Sequence, residues 1–231
     1  MKALLYKEFK LAMHPMCYVF IAAFPLMILI PSTTYPVTIG FIYVLSCYPV
    51  LFLGANKGQQ SNDLLYSTLL PVRKKDIVLA RVITIIIMHA AFCLLTSALC
   101  PLGMMIRNNI PPANPGEQNV DVGFSLNSYV LVLAIVLVGY ALADLIFFPI
   151  YYKNGKSIVL STLMMIIGFI VYLGIFTIAL PMVLKEVGVI NLDTLPIYIQ
   201  FIALGIALLI YALLHVFVYK VSAKSLEKVD F

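Results

Sequence analysis

Charge is what this sequence has least of. Only 11% of its 231 residues are Asp, Glu, Lys or Arg and 63% are hydrophobic, whereas an average soluble domain is roughly a quarter charged and about half apolar. A chain so poor in charge cannot cover a folded surface with water-facing groups, and its mean hydropathy of +1.05 points to lipid as the solvent. Cysteine is sparse as well. Cys17, Cys47, Cys93 and Cys100 all sit inside apolar runs without metal-type spacing, so they read as small packing residues, and neither a disulfide nor a bound metal is expected. Groups for covalent or acid–base chemistry are missing too. No second acid accompanies Asp144 within the apolar runs and no Gly-x-Ser-x-Gly elbow occurs, which leaves no catalytic centre to assemble and makes an intramembrane protease hard to build.

Two near-motifs fail on inspection. Asn154-Gly155-Lys156-Ser157 ends like a phosphate-binding loop, but Ile150 stands where the first glycine belongs, and an apolar helix precedes it instead of a strand. No cofactor-binding residue is assigned on that basis. Lys2, Lys7 and Lys10 resemble the basic start of a secretory signal, yet no small-residue cleavage site follows, and five more apolar runs come after the first. The sequence shows no internal repeat and no separate soluble domain.

What is present is a series of apolar runs: 16–30, 37–54, 77–106, 128–151, 158–181 and 197–219. A helix needs roughly 20 residues to cross a hydrocarbon core of about 30 Å, so these read as six spans, the first short and the third long enough to tilt or project. The expected fold is all-α, one polytopic transmembrane domain over residues 1–231. Residues 1–14 place Leu5, Phe9 and Ala12 on one helical face and Lys7 and Lys10 on another, as in a helix lying at the membrane interface; His14-Pro15 ends it.

Six spans put both termini on one side, and the positive-inside rule selects the cytoplasm. With that orientation thirteen of the fifteen basic residues fall in or beside cytoplasmic segments, Arg81 among them by snorkelling, and only Arg107 and Lys185 lie outside. The net charge of +5 is therefore a matter of orientation, and no nucleic-acid partner is expected. Prolines at positions 25, 49, 101, 149 and 181 read first as packing kinks and secondarily as hinges. Ala203 and Ala207 form a weak small-xxx-small pair.

Asp144 is the only acid within a span, and so marks a functional site or a buried partner by default. It reads as a polar lock first, a gating or coupling group second, and a proton relay third. His89 and His215 read as packing histidines, since two histidines on separate helices make no metal site without a third partner. Between the second and third spans, Ser61-Asn62-Asp63 gives a helix start, Leu64, Leu65, Thr68 and Leu69 share one face, and Pro71 ends the helix. Such a helix can rest on lipid or dock on a partner; Asp63, Tyr66 and Ser67 supply more polar specificity than lipid requires.

The stretch Asp63-Leu64-Leu65-Tyr66-Ser67-Thr68-Leu69-Leu70-Pro71-Val72-Arg73-Lys74-Lys75-Asp76-Ile77-Val78, after two spans and an interfacial helix, resembles the six-helix permeases of ABC-type exporters. It is similar in particular to bacterial permeases that export phenol-soluble modulins. The resemblance implies a bacterial cell-membrane permease that pairs with a separate ATP-binding cassette subunit, which binds ATP and Mg, and with a second permease copy, as a homodimer. It implies that Asp63, Leu64, Leu65, Tyr66, Ser67, Thr68 and Leu69 form the coupling helix, with Lys153, Asn154, Gly155 and Lys156 as a second inner contact. Export of hydrophobic or amphipathic cargo, including cytolytic or antimicrobial peptides, follows from it. The competing expectation is a proton-coupled carrier that works alone through Asp144; a membrane-embedded enzyme and a non-transporting peptide-binding protein stand behind both.

Overall fold

The computed structural model describes residues 2–12, 15–29, 39–40, 42–44, 46–47, 71–109, 129–154, 158–175 and 196–228. Its elements are α1 (Lys2–Lys7), running on as a π-helical turn (Glu8–Ala12), and α2 (Pro15–Leu26), tightening into a 3-10 turn (Met27–Leu29). Then come α3 (Lys74–Asn109), α4 (Tyr129–Asn154), α5 (Ile158–Gly174) and α6 (Ile197–Glu227). No strand occurs among the described residues. Lipid offers no partner for a backbone N–H or C=O, so each spanning segment must satisfy its own, and the helix does so even in stretches rich in β-branched residues such as Ile83-Thr84-Ile85-Ile86-Ile87.

Three of these helices are long and apolar enough to cross a membrane: Lys74–Gly103, Tyr129–Lys153 and Ile197–Glu227, while Met16–Leu26 and Ile158–Tyr172 are apolar but shorter. The protein is thus an all-helical, multi-pass membrane protein. Of the expected second span only helical residues at 39–40, 42–44 and 46–47 are described, and the expected coupling helix at 63–69 lies outside the described residues.

Local chemistry sets the helix ends. After Pro71, the Arg73 carbonyl accepts from the N–H groups of Asp76 (2.9 Å) and Ile77, opening α3 with Asp76 in its first, electropositive turn. At 36 residues α3 is roughly 54 Å long, well beyond the hydrocarbon thickness, as the length of the third run predicts. Pro101 and Pro149 lie within continuous helices, and Pro25 lies one residue before α2 ends. Buried hydroxyls turn back on their own helices, Thr84 to the Ala80 carbonyl (2.9 Å) and Thr96 to that of Phe92 (2.7 Å).

Helix α4 packs most extensively on α6 and also on α5, while α3 packs on α6 and α2. Burial differs sharply between them: 61% of the apolar window of α3 is inside the bundle, 50% for α4 and only 22% for α6, so α6 gives most of its surface to lipid or a partner. Side chains of Tyr43, Phe92, Tyr140, Phe147, Phe148 and Tyr152 fill the core. Tyr140 reaches the segment around Gly40, where an added Cβ would stand 2.9 Å from the Tyr140 hydroxyl; only glycine allows this approach.

The N-terminal segment faces differently from the expectation for residues 1–14, which put Lys7 and Lys10 on one polar face. Leu4, Lys7 and Glu8 are buried, and α1 and its π turn pack on α3. From position 8 onward the π turn breaks the 3.6-residue period on which that reading rests, and the pairing of Glu8 with Arg81 draws this side of the segment onto α3. Arg81 likewise does not snorkel to water. It is 5% exposed and pairs with the Glu8 carboxylate, which also lies 3.4 Å from the Lys7 ammonium. That ion pair sets α1 beside the start of α3, and Lys75 lies 3.8 Å from Glu227 at the end of α6. Both ends of the chain's described structure therefore meet at one end of the bundle.

Candidate functional site

Three polar side chains from three helices converge in the bundle. His89 of α3, Asp144 of α4 and His215 of α6 are 1%, 0% and 4% exposed. Counting 1.5 Å per residue, they lie about 22, 15 and 18 Å from the helix ends at Lys74, Asn154 and Glu227, close to one level near the middle of the spans.

Hydrogen bonding fixes much of the geometry. His215 Nδ1 lies 2.8 Å from the Tyr211 carbonyl one turn earlier. A carbonyl only accepts, so Nδ1 carries a proton and donates it. Nε2 of the same ring is 2.8 Å from Asp144 Oδ2. A contact that short requires one proton between ring nitrogen and carboxyl, whichever of the two holds it, and the pair is neutral as a unit. His89 Nδ1 stands 3.7 Å from the same Asp144 oxygen and 3.1 Å from the Tyr211 hydroxyl. Tyr211 thus serves both histidines, one through its backbone and one through its phenol.

Aromatic rings enclose the cluster. His89 stacks on Tyr140 with centroids 4.4 Å apart and meets Tyr43 edge-on at 6.2 Å, while Tyr43 stacks on Phe92 at 4.1 Å. His215 packs on the Tyr211 ring at 4.0 Å. These contacts exclude water from a site whose polar atoms already satisfy one another, as a low-dielectric interior demands.

Asp144 is therefore a buried acid with partners on two other helices. Lys153 is exposed at the end of α4, and Asp144 bridges to α6 and α3. His89 and His215, read separately as packing residues, are brought together by Asp144 through a packing of helices that no sequence pattern marks. Tyr211 was not singled out at all. The common level of His89, Asp144 and His215 shows only once the helix ends are known, because measured from the expected run ends at 77, 151 and 219 the three residues lie 12, 7 and 4 positions in. Of the other sequence-selected residues, 63–69 and 155–156 fall outside the described residues, and Asn154 closes α4. All four cysteines are buried, and none forms a disulfide among the described residues.

The family described as ABC-2 family transporter protein matches residues 3–225, nearly the whole chain. Neither a curated protein nor a solved structure matches.

Proposed function

Because the chain belongs to the ABC-2 transporter family, we propose that it is the membrane-spanning permease of an ATP-driven exporter of hydrophobic or amphipathic cargo, cytolytic or antimicrobial peptides included. The family match over residues 3–225 carries this reading. In it the chain forms one transmembrane domain of six spans, supplies the pathway and hydrolyses nothing itself. A separate ATP-binding cassette subunit binds ATP and Mg, and two permease copies enclose the route. The location is the bacterial cell membrane with both termini cytoplasmic, supported by the basic residues Lys2, Lys7, Lys10, Lys220, Lys224 and Lys228 near the two ends. Cargo chemistry rests on the near-absence of charge in the spans, which suits an apolar or amphipathic molecule and not a sugar or ion.

Coupling would run through the segment Asp63–Leu69, seated in a groove of the ATPase, with Lys153–Lys156 as the second inner contact. The continuity of α3 supports this. Pro71 is followed within three residues by a 36-residue helix that carries Arg81 and His89 into the bundle, so a push on the preceding segment acts on a rigid lever. ATP binding would then shift the balance between inward- and outward-open states through differential contact with the ATPase.

Co-purification tests the reading. The chain should bring down the ATP-binding protein encoded beside it, and Leu65→Asp plus Leu69→Asp, still inserted and monodisperse, should lose it. Equal capture by both proteins, or by neither, refutes the docking assignment. A second reading, the proton-coupled carrier, has one observation in its favour, the 2.8 Å contact between His215 Nε2 and Asp144 Oδ2. It requires Asp144→Asn to abolish transport while the double leucine variant transports normally.

A further inference from the structure

We propose that His89, Asp144 and His215 form a binding site for a divalent transition-metal cation of the zinc class, one that staples α3, α4 and α6 together within the membrane. The inference is independent of the ATPase partner and of the cargo. It revises the expectation of no metal, which rested on two histidines lacking a third ligand.

The donor atoms are close to what such an ion needs. His89 Nδ1, Asp144 Oδ2 and His215 Nε2 all lie within 4.8 Å of one another. A tetrahedral zinc ion with bonds of about 2.0–2.1 Å holds its ligands roughly 3.3 Å apart. The two separations from Asp144 Oδ2, 2.8 Å to His215 and 3.7 Å to His89, fall on either side of that value, and the two histidine nitrogens, no more than 4.8 Å apart, need to close by at most about 1.5 Å. The ion enters where one proton now sits between His215 and Asp144, and that proton leaves to solvent.

Orientation of the ligands is already provided. A metal-binding imidazole usually donates its other N–H to an oxygen, which fixes the ring and its tautomer. His215 does this through Nδ1 to the Tyr211 carbonyl at 2.8 Å, leaving Nε2 to coordinate. The Tyr211 hydroxyl, 3.1 Å from His89 Nδ1, stands at the edge of the site and can supply the fourth ligand directly or hold a water there. Two imidazoles and one carboxylate favour zinc, cobalt or nickel over magnesium and calcium, which take six or more oxygen ligands. The enclosing rings of Tyr140 and Tyr43 supply an apolar shell that slows exchange.

Cobalt(II) is the probe. The full chain, purified in detergent and stripped with a chelator, should take up one Co2+ per chain with the intense visible absorption of tetrahedral coordination, and Zn2+ should displace it. Asp144→Asn and His215→Gln should each lose that absorption, while Glu227→Gln, half-exposed at the end of α6, should keep it. Zinc should also raise the melting temperature of the wild type by several degrees and leave that of His215→Gln unmoved. If the wild type shows only the pale spectrum of octahedral cobalt, or if the two cluster variants bind as the wild type does, the proposal falls and the cluster is a hydrogen-bonded lock alone. The wild-type spectrum decides the matter even if a variant fails to fold.

Discussion

Helix α3 carries two buried polar clusters, and they are built on opposite principles. Near its start Arg81 pairs with Glu8 and Lys7 lies alongside, a group of formal charges in which the guanidinium cannot shed its proton. Two turns further in, roughly 12 Å along the axis, His89 joins Asp144 and His215, a group in which every member has an accessible neutral form. Permanent charge is tolerated near the start of α3 because a buried charge of opposite sign offsets it there. Deeper in, the residues are those able to share one proton and remain neutral as a unit. The difference teaches that depth selects the kind of polar group as well as the number.

Removing one partner from each cluster separates the two cases. Glu8→Ala should have the larger effect, about 3–5 kcal/mol of stability, because Arg81 stays charged and nearly buried without its counter-ion. Thermal unfolding of the purified chain in detergent reads this, with exposed Lys10→Ala as the reference. A loss no greater than that of Lys10→Ala would show that Arg81 reaches water after all, and the contrast between the clusters would collapse.

His215→Leu should cost less, about 1–3 kcal/mol, since Asp144 loses one hydrogen bond but keeps His89 as a polar neighbour at 3.7 Å. The double variant Asp144→Leu plus His215→Leu should then recover part of that loss, because an apolar pair of similar size leaves no orphaned group. Additive losses in the double-mutant cycle would mean that the 2.8 Å contact contributes nothing to stability.

How much of this was legible beforehand follows from the same physics. The long spans were readable because continuous apolar runs have a single physical solution in lipid, and α3, α4 and α6 lie where the third, fourth and sixth runs predict. Asp144 was readable as special because an acid in such a run is expensive. Its partners were not, since helices apolar all round carry no stripe to say which faces meet, and α6 has polar residues too few to mark one. The N-terminal helix was misread in its facing because a π turn leaves no periodic signature, and Glu8, a lone acid among lysines, gave no hint that Arg81 would come to it.

The mildest perturbation completes the gradient from buried to exposed. Lys75 and Glu227 join the start of α3 to the end of α6 at 3.8 Å, but both side chains are 51% exposed, so water screens the pair and solvates either partner when the other is removed. Glu227→Ala should therefore change stability by no more than about 0.5 kcal/mol, and raising the salt concentration should erase even that. The same carboxylate that is indispensable beside Arg81 would be nearly dispensable here, with burial as the variable that changes most. If Glu227→Ala instead matched Glu8→Ala in a detergent melt, the gain at the Arg81–Glu8 pair would have to come from holding two helices together and not from pairing a desolvated charge, and the ordering of the clusters by depth would lose its physical basis.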